Sequence, residues 1–351
     1  MALFEIKDVD KQYYEKKIKD FLPENIIDIH THVYRKYESR EAQEDIKRTV
    51  TWPSLVAAEN PAEDLQETYS LMFPGKKVTP LIFAAVDPKE AINTMNTYIR
   101  ECSEKHHIPS LYFARPEEST EELRENIESG GFLGVKVYLN FSPAYIPGDE
   151  IRIFDFLPPH QLKVLDELGC IVMLHIPRSG RLRDPVNIAQ ILEIEEKYQN
   201  LQLILAHIGR AYCREDVGDA LNILSKTKNL VFDFAASTNE WVFARTIEAV
   251  GPKRILFGSD LPIVRMRMRR ICEKGTYINI VPKGLYGDVS GDKNMREVDG
   301  EKADALTFFM YEEINAFRKA AEETGLSKSD IEDVFYNNSR KIIENTGFTF
   351  K

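Results

Sequence analysis

Eight short apolar runs alternate with helical segments along this chain, and this alternation limits the folds open to it more than any other feature. The run VTPLIFAAV at 78–86 is apolar throughout, which is typical of a strand buried on both faces. Helix signals separate the runs, such as Asp87-Pro88 before one helix and Gly130-Gly131 after another. The predicted strands are 26–32, 78–86, 111–114, 132–139, 170–175, 201–207, 230–234 and 254–257.

Strands that alternate with helices favour a parallel sheet, and eight such units fit a closed (β/α)8 barrel, the TIM barrel. Residues 8–21 predict a helix before the first strand, and two further helices are expected near 303–324 and 329–345. The sequence shows no internal repeat or domain boundary, so we expect one domain over 1–351. The segment 264–300 is expected to be a long loop insertion, mobile or capping, after the eighth strand.

Composition argues against several classes of protein. Charged residues make up 29% of the chain and the net charge is -10, which disfavours nucleic-acid binding but allows a small anionic substrate. No apolar run has the length of a membrane span, and the N-terminus lacks a signal-peptide core. The cysteines form no Cys-x-x-Cys pair, so we expect reduced thiols and a cytoplasmic location. They are Cys102, Cys170, Cys213 and Cys272.

The first predicted strand ends in a His-x-His motif, His30 and His32. Because strand side chains alternate between faces, the two imidazoles are expected side by side, with Asp28 on the same face. Paired imidazoles suit metal ions that take nitrogen ligands. Asp28 either holds these histidines in place or bonds to a neighbouring strand end, and the sequence leaves both open.

Four other residues able to bind metal or transfer protons fall in or just after later predicted strands. They are Lys136 in the fourth strand, His175 in the fifth, His207 in the sixth and Asp260 after the eighth. The C-terminal strand ends of a (β/α)8 barrel meet at one rim, where active sites lie. We therefore expect these four residues and the two histidines of the first strand to form one site.

The segments IIDIHTHV, VMLHIPRSG, LILAHIGR and ILFGSDLP, in this order, resemble those of the amidohydrolase superfamily. More narrowly, they look like the amidohydrolase-related branch that includes aminocarboxymuconate-semialdehyde decarboxylase and several lactonases and hydrolases. The closing DVFYNNSRKII is similar to the C-terminal helix of that branch. The resemblance covers about residues 25–345.

The resemblance implies a role for each residue of this site. His30, His32, His175 and Asp260 would bind one divalent metal ion, zinc in preference to manganese, with a position left open for water. The metal would activate that water, and Asp260 would accept its proton and pass it to the leaving group. His207 would orient the water, polarise the substrate carbonyl or bind a second metal.

Lys136 bears on the number of metal ions. Superfamily members with two metals carry a carbamylated lysine on strand four, and Lys136 lies on the predicted fourth strand. The branch with one metal often has an unmodified lysine in a similar setting. The flanking motifs resemble this second group more closely, so we expect one metal and leave a second open.

Arginines follow the histidine and aspartate motifs, although the protein is acidic. Arg178, Arg181 and Arg210 are the substrate-binding candidates, because arginine pairs well with carboxylates and phosphates. They predict a small anionic substrate. The arginines after Asp260 include Arg267, Arg269 and Arg270, which we interpret as solvated loop charges.

The resemblance leaves the reaction open. The first hypothesis is a metal-dependent hydrolase of an amide, lactone or ester carbonyl, and the second is a metal-dependent decarboxylase of an unsaturated or aromatic acid. A TatD-like nuclease would be expected to carry a glutamate on strand four, where this chain has Lys136. A non-catalytic ligand-binding barrel is a further alternative, and a homo-oligomer is left open.

Overall fold

The computed structural model describes residues 3–36, 53–85 and 89–351, and eight parallel strands form its centre. Strands β1 and β2 pair with each other, and β3 to β8 pair in chain order. The strands are β1 (Asn25–His32), β2 (Lys77–Phe83), β3 (Tyr112–Phe113), β4 (Gly134–Val137), β5 (Ile171–Leu174), β6 (Gln202–Leu205), β7 (Val231–Asp233) and β8 (Ile255–Leu256).

Backbone hydrogen bonds join these two sheets into a closed barrel. Between β2 and the start of β3, the amide of Leu111 donates to the carbonyl of Ile82 over 2.9 Å. Between β1 and the segment after β8, the amide of His32 donates to the carbonyl of Leu261 over 2.8 Å. The predicted (β/α)8 barrel is therefore confirmed.

Helices cover the barrel, and further helices lie near the N-terminus and the C-terminus of the chain. The helices are α1 (Asp8–Tyr13), α2 (Pro53–Val56), α3 (Ala62–Met72), α4 (Ile92–His106), α5 (Thr120–Gly130), α6 (Pro159–Glu167), α7 (Pro185–Lys197), α8 (His207–Arg210), α9 (Ala220–Leu224), α10 (Glu240–Val250), α11 (Gly300–Asp304), α12 (Phe309–Thr324), α13 (Lys328–Glu332) and α14 (Asn338–Asn345). The predicted N-terminal helix and extra C-terminal helices are confirmed. Within the described ranges, no helix is long and apolar enough to cross a membrane.

The core has two parts. Side chains that include Ile29, Leu81, Met173 and Ile204 form a buried cluster inside the barrel, and residues of α14 such as Ile343 belong to the same cluster. A larger cluster joins the outer strand faces to the helices. Helix α14 therefore covers one side of the barrel core. The C-terminal ends of the strands are not covered by this helix and form the site.

The segment 264–300 contains a small sheet, so its interpretation as a loop is wrong for these residues. Strand β9 (Arg269–Glu273) pairs antiparallel with β10 (Thr276–Pro282), and β11 (Met295–Val298) pairs parallel with β10. The charged side chains of β9 hide the apolar pattern of a strand, because β9 is half exposed. Strand β10, by contrast, is mostly buried. We call β9 to β11 the cap.

Two of the cysteines form a disulfide, which corrects the expectation of four reduced thiols. Cys213, after α8, pairs with Cys272 of the cap at a Cα–Cα separation of 5.9 Å. The sequence separation of 59 hid the pair from the sequence, because only the folding of the cap onto the barrel rim brings the two cysteines together. Cys102 and Cys170 are free and buried.

We expect reduction of this disulfide to destabilise the protein. A cross-link over 59 residues restricts the unfolded chain, and such links typically contribute about 2–4 kcal/mol. Denaturant unfolding with and without a dithiol reductant measures the difference. The control is Cys272→Ser, whose unfolding should not respond to the reductant; a response there would show that the effect does not come from the Cys213–Cys272 bond.

Candidate active site

The structure places the sequence-predicted site residues at the C-terminal ends of the strands. His30 and His32 lie at the end of β1, and Lys136 lies within β4. The remaining three residues follow β5, β6 and β8, and they are His175, His207 and Asp260. The barrel thus brings residues more than 200 positions apart in sequence to one rim.

His30 is held by a buried carboxylate. Its Nδ1 lies 2.9 Å from Oδ2 of Asp233, and both side chains are fully buried. Because an ionised carboxylate only accepts hydrogen bonds, Nδ1 carries the proton and Nε2 keeps its lone pair. That Nε2 lies 3.5 Å from Oδ1 of Asp260, so the lone pair is directed toward the centre of the site.

His32 and His207 are held in the same tautomer by backbone carbonyls. Nδ1 of His32 donates to the carbonyl of Ala84 over 2.8 Å, and Nδ1 of His207 donates to that of Ala235 over 2.9 Å. Both Nε2 atoms are therefore left as acceptors. Such contacts behind a ring are typical of histidines that bind metals.

Three residues bring ligand atoms close enough to hold one ion. The donor atoms of His30, His207 and Asp260 all lie within 4.8 Å of one another. Nε2 of His32 adds a contact of 3.3 Å to Oδ1 of Asp260. Imidazole nitrogens with one carboxylate oxygen form a donor set that suits zinc and other divalent ions. The residues present therefore fit a divalent metal.

Asp260 is held in position by its backbone. It adopts a left-handed φ of 69°, and its amide donates to the carbonyl of His30 over 2.8 Å. Burial raises the pKa of its carboxyl, whereas protonated His32, which would then donate to it, and the charges of protonated His207 and His30 lower it, and the net direction is below the usual value. We therefore expect this carboxylate to be ionised at neutral pH.

His175 lies beside this group. Its ring is 4.3 Å from the ring of Tyr138 and 5.3 Å from that of His207, measured between centroids. Its Nδ1 has no hydrogen-bond partner among the residues that the structure describes. Burial, and then the charge of Arg210, lower its pKa well below the usual value, so the ring is neutral. The metal-ligand role of His175 stays a prediction.

Lys136 is buried against the same group. Its Nζ lies 3.2 Å from Nε2 of His30 and 4.9 Å from the centroid of the Phe83 ring. Burial lowers its pKa to about 8, against the opposing charges of Asp260 and Asp233. A fraction of this amine is uncharged near neutral pH. Its place next to His30 keeps both the carbamate and the unmodified role open.

Asp28 accepts hydrogen bonds from a neighbouring strand end and, over 3.3 Å, from the backbone amide of His30, so its contacts agree with both interpretations from the sequence. Its carboxylate accepts from the amide of Ser259 over 2.8 Å and from the hydroxyl of Tyr69 over 2.8 Å. The pairing of β1 with β2 is irregular between Asp28 and Thr31, so simple alternation does not hold there. Burial raises the pKa of Asp28 to about 7.

Sequence reasoning missed two buried acids. Asp233 contacts His30, and its Oδ1 also accepts from the amide of His207 over 2.8 Å. A lone aspartate in the apolar run LVFDF was the available signal. Glu313, on α12, is fully buried, and burial together with Asp28 raises its pKa well above the usual value. Nothing in its helical sequence pattern marked Glu313.

The three candidate arginines make internal contacts. Arg178 pairs with Asp184 at 3.1 Å and Arg181 with Asp216 at 2.7 Å, while Nη1 of Arg210 donates to the carbonyl of Pro177 over 2.9 Å. Their substrate-binding roles stay predictions, and for Arg178 and Arg181 a substrate would compete with an aspartate.

Two arginines after Asp260 are not solvated, contrary to expectation. Arg267 is buried in an ion pair with Asp10 at 2.7 Å, which ties the cap segment to α1. Arg270 lies among aromatic rings. Only Arg269 is exposed, 3.5 Å from Glu312.

The closed barrel and the histidine–carboxylate group at its rim are those of a TIM-barrel enzyme that uses a metal. Residues 27–344 match the amidohydrolase family over most of the chain. The chain belongs to this family, which confirms the resemblance and the expectation of an enzyme. No curated protein matches it.

Solved structures with the same fold include an amidohydrolase from Burkholderia multivorans with bound zinc, with 13% identity and a TM-score of 0.56 over 91% of this chain and 99% of the other. Another is 5-carboxyvanillate decarboxylase from Sphingomonas paucimobilis, with 11% identity and a TM-score of 0.55 over 92% and 99%. A third is dihydroxybenzoic acid decarboxylase from Polaromonas with bound manganese and the inhibitor 2-nitroresorcinol, with 15% identity and a TM-score of 0.52 over 92% and 97%.

We expect Asp233→Asn to weaken metal binding by about 10–100-fold, because the amide replaces one acceptor oxygen by a donor and loosens His30 or His207. Zinc titration against a competing chelator measures the affinity. The matched control is Asp216→Asn, a buried rim aspartate that bonds to Arg181 and to no imidazole. Equal losses in both variants would contradict the role of Asp233.

Gly258 is a second sensitive position. A Cβ there would lie 2.7 Å from Cβ of His30, with little room for His30 to move. We expect Gly258→Ala to lower the free energy of unfolding by about 1–3 kcal/mol and to weaken metal binding. Gly148→Ala is the control, because no atom lies within 4 Å of its added Cβ. An unchanged metal affinity in Gly258→Ala would contradict this prediction.

Proposed function

We propose that this protein is a metal-dependent hydrolase that acts on an amide, lactone or ester carbonyl of a small anionic molecule. The observation that carries the proposal is the convergence of His30, His207 and Asp260, with each imidazole held so that Nε2 accepts. His32 and His175 complete the set that the family resemblance implies. One divalent ion, zinc before manganese, fits these donors.

When bound, the ion supplies Lewis acidity, which polarises the carbonyl and makes water a better nucleophile. The protein supplies position and proton transfer. Asp260, whose carboxylate lies against His30 and His32, takes the proton from the attacking water and returns it to the leaving group. Neutral His207 orients the water by accepting a hydrogen bond at Nε2, because its Nδ1–H is held by the carbonyl of Ala235.

Decarboxylation of an unsaturated or aromatic carboxylic acid is the second candidate. Two of the similar structures are decarboxylases of this kind, from Sphingomonas paucimobilis and Polaromonas. The same ligands and the same aspartate would serve that reaction, with Asp260 delivering a proton to carbon instead. The same site chemistry fits both reactions, so the product that forms is what distinguishes them.

The experiment that tests this proposal combines metal analysis with a substrate panel. Protein freed of metal and reconstituted with zinc or manganese is expected to hold about one equivalent. The panel contains lactones, esters, amides and aromatic carboxylic acids. Ester or ring opening supports the hydrolase, and release of carbon dioxide supports the second candidate.

We expect the double substitution His30→Ala/His32→Ala to abolish both metal binding and turnover, because it removes two nitrogen donors. His106→Ala is the control, since this histidine lies at the end of α4 beside Glu63. About two equivalents of metal would instead point to a carbamylated Lys136. Full activity in the metal-free protein would refute the metal-dependent mechanism.

A further inference from the structure

Arg270 of the cap places a positive charge at the barrel rim. Its Nη1 donates to the carbonyl of Ala236 over 2.6 Å, and its Nε donates to Oδ1 of Asn279 over 2.8 Å. Ala236 follows Ala235, whose carbonyl holds Nδ1 of His207. The guanidinium therefore bonds to the carbonyl next in sequence to that of Ala235, which orients the candidate metal ligand His207.

Three aromatic rings surround this guanidinium. Its central carbon lies 4.8 Å from the ring centroid of Tyr212 and 4.6 Å from those of Tyr277 and Phe309. Aromatic faces stabilise a cation, although they do not neutralise it. They also restrict the side chain to one position, so its unused N–H groups have a defined direction.

No carboxylate among the described residues forms an ion pair with Arg270. The other arginines of this region differ, because Arg178 pairs with Asp184 and Arg181 with Asp216. The acid whose charge acts on Arg270 is Glu313. Burial and Asp28 raise the pKa of Glu313 well above its usual value, and Glu313 forms no ion pair with Arg270.

A partly buried cation without a counterion is costly, and a bound anion would reduce that cost. Both acceptors that Arg270 contacts, the Ala236 carbonyl and the Asn279 amide, are neutral. The fork of the guanidinium therefore has donors left for a carboxylate.

Contacts within the cap, and between the cap and the barrel, hold Arg270 at this position. Arg270 and Cys272 are two apart on β9, so they share a face, and they pair across the hairpin with Asn279 and Tyr277. Cys272 is bonded to Cys213, the residue after Tyr212. The disulfide thus joins the strand of Arg270 to the loop that carries one of its aromatic neighbours.

We propose that Arg270 binds a carboxylate of the substrate that is remote from the carbonyl group at the metal site. This inference rests on the proposed function and narrows the class of substrate. The substrate is an acid with two functional groups, one that reacts at the histidine–aspartate centre and one anionic group that the cap recognises. Arg270 is then a specificity-determining residue supplied by the insertion after β8.

The test is isothermal titration of the zinc-loaded protein with isophthalate, which has two carboxylates, and with benzoate, which has one. We expect Arg270→Gln to weaken isophthalate binding at least about tenfold, as for a lost hydrogen bond to a charged group, and to affect benzoate less. Arg270→Lys keeps the positive charge but loses the planar guanidinium that can bind both oxygens of a carboxylate. Its affinity for isophthalate should therefore lie between those of the wild type and Arg270→Gln.

Arg269→Gln is the matched control, because it removes the same charge from the next residue of the same strand, which is exposed. Isophthalate affinity should stay unchanged in this variant. An unchanged affinity in Arg270→Gln, an equal loss for both ligands, or an equal loss in Arg269→Gln would overturn the inference.

Zinc content and circular dichroism, measured on every variant, separate this inference from the proposed function. A wild-type protein that holds zinc but binds no isophthalate overturns the role of Arg270 and leaves the metal site standing. A wild-type protein that holds no zinc overturns both. An Arg270→Gln variant that keeps zinc and its spectrum while losing isophthalate supports the role of Arg270.

Discussion

The carboxylate of Asp233 is the contact on which the geometry of the site depends. One oxygen accepts from the ring of His30, and the other accepts from the amides of His207 and Ala235, at 2.8 Å and 3.1 Å. It therefore joins the ends of β1, β6 and β7 at one point. A fully buried carboxylate is stable only when its oxygens are satisfied, and these partners satisfy both. The same bonds set which nitrogen of His30 faces the metal site.

Residues with strained backbone φ angles are concentrated at this rim. Five residues other than glycine near the site have left-handed φ angles, and they are His207, Ile208, Arg210, Ala236 and Asp260. Such conformations cost about 1 kcal/mol or more each and persist where surrounding contacts enforce them. Here the enforcing contacts are the carbonyl and carboxylate bonds of the histidines and the bond from Arg270 to Ala236. Within the eight described barrel strands, no residue other than glycine has such an angle.

The cap adds the cationic side chain of Arg270 to the rim of an acidic protein. Arg267, two residues before β9, ties the chain that enters the cap to α1 through Asp10, and the disulfide anchors β9 to the loop after α8. These two attachments hold Arg270 against Tyr212 and Tyr277. Net charge is a sum over the whole surface, so it carries no information about this local field.

The barrel and the rim positions of the histidines, Lys136 and Asp260 were predictable from the sequence. Apolar strands and helix signals are local patterns, and parallel closure then places all strand ends together. The residues that support these side chains could be identified only in the folded chain. Asp233, Glu313, the cap strands, the disulfide and the packing of Arg270 depend on contacts between segments far apart in sequence. Burial and partner choice are set by those contacts, whereas periodicity reports only on near neighbours.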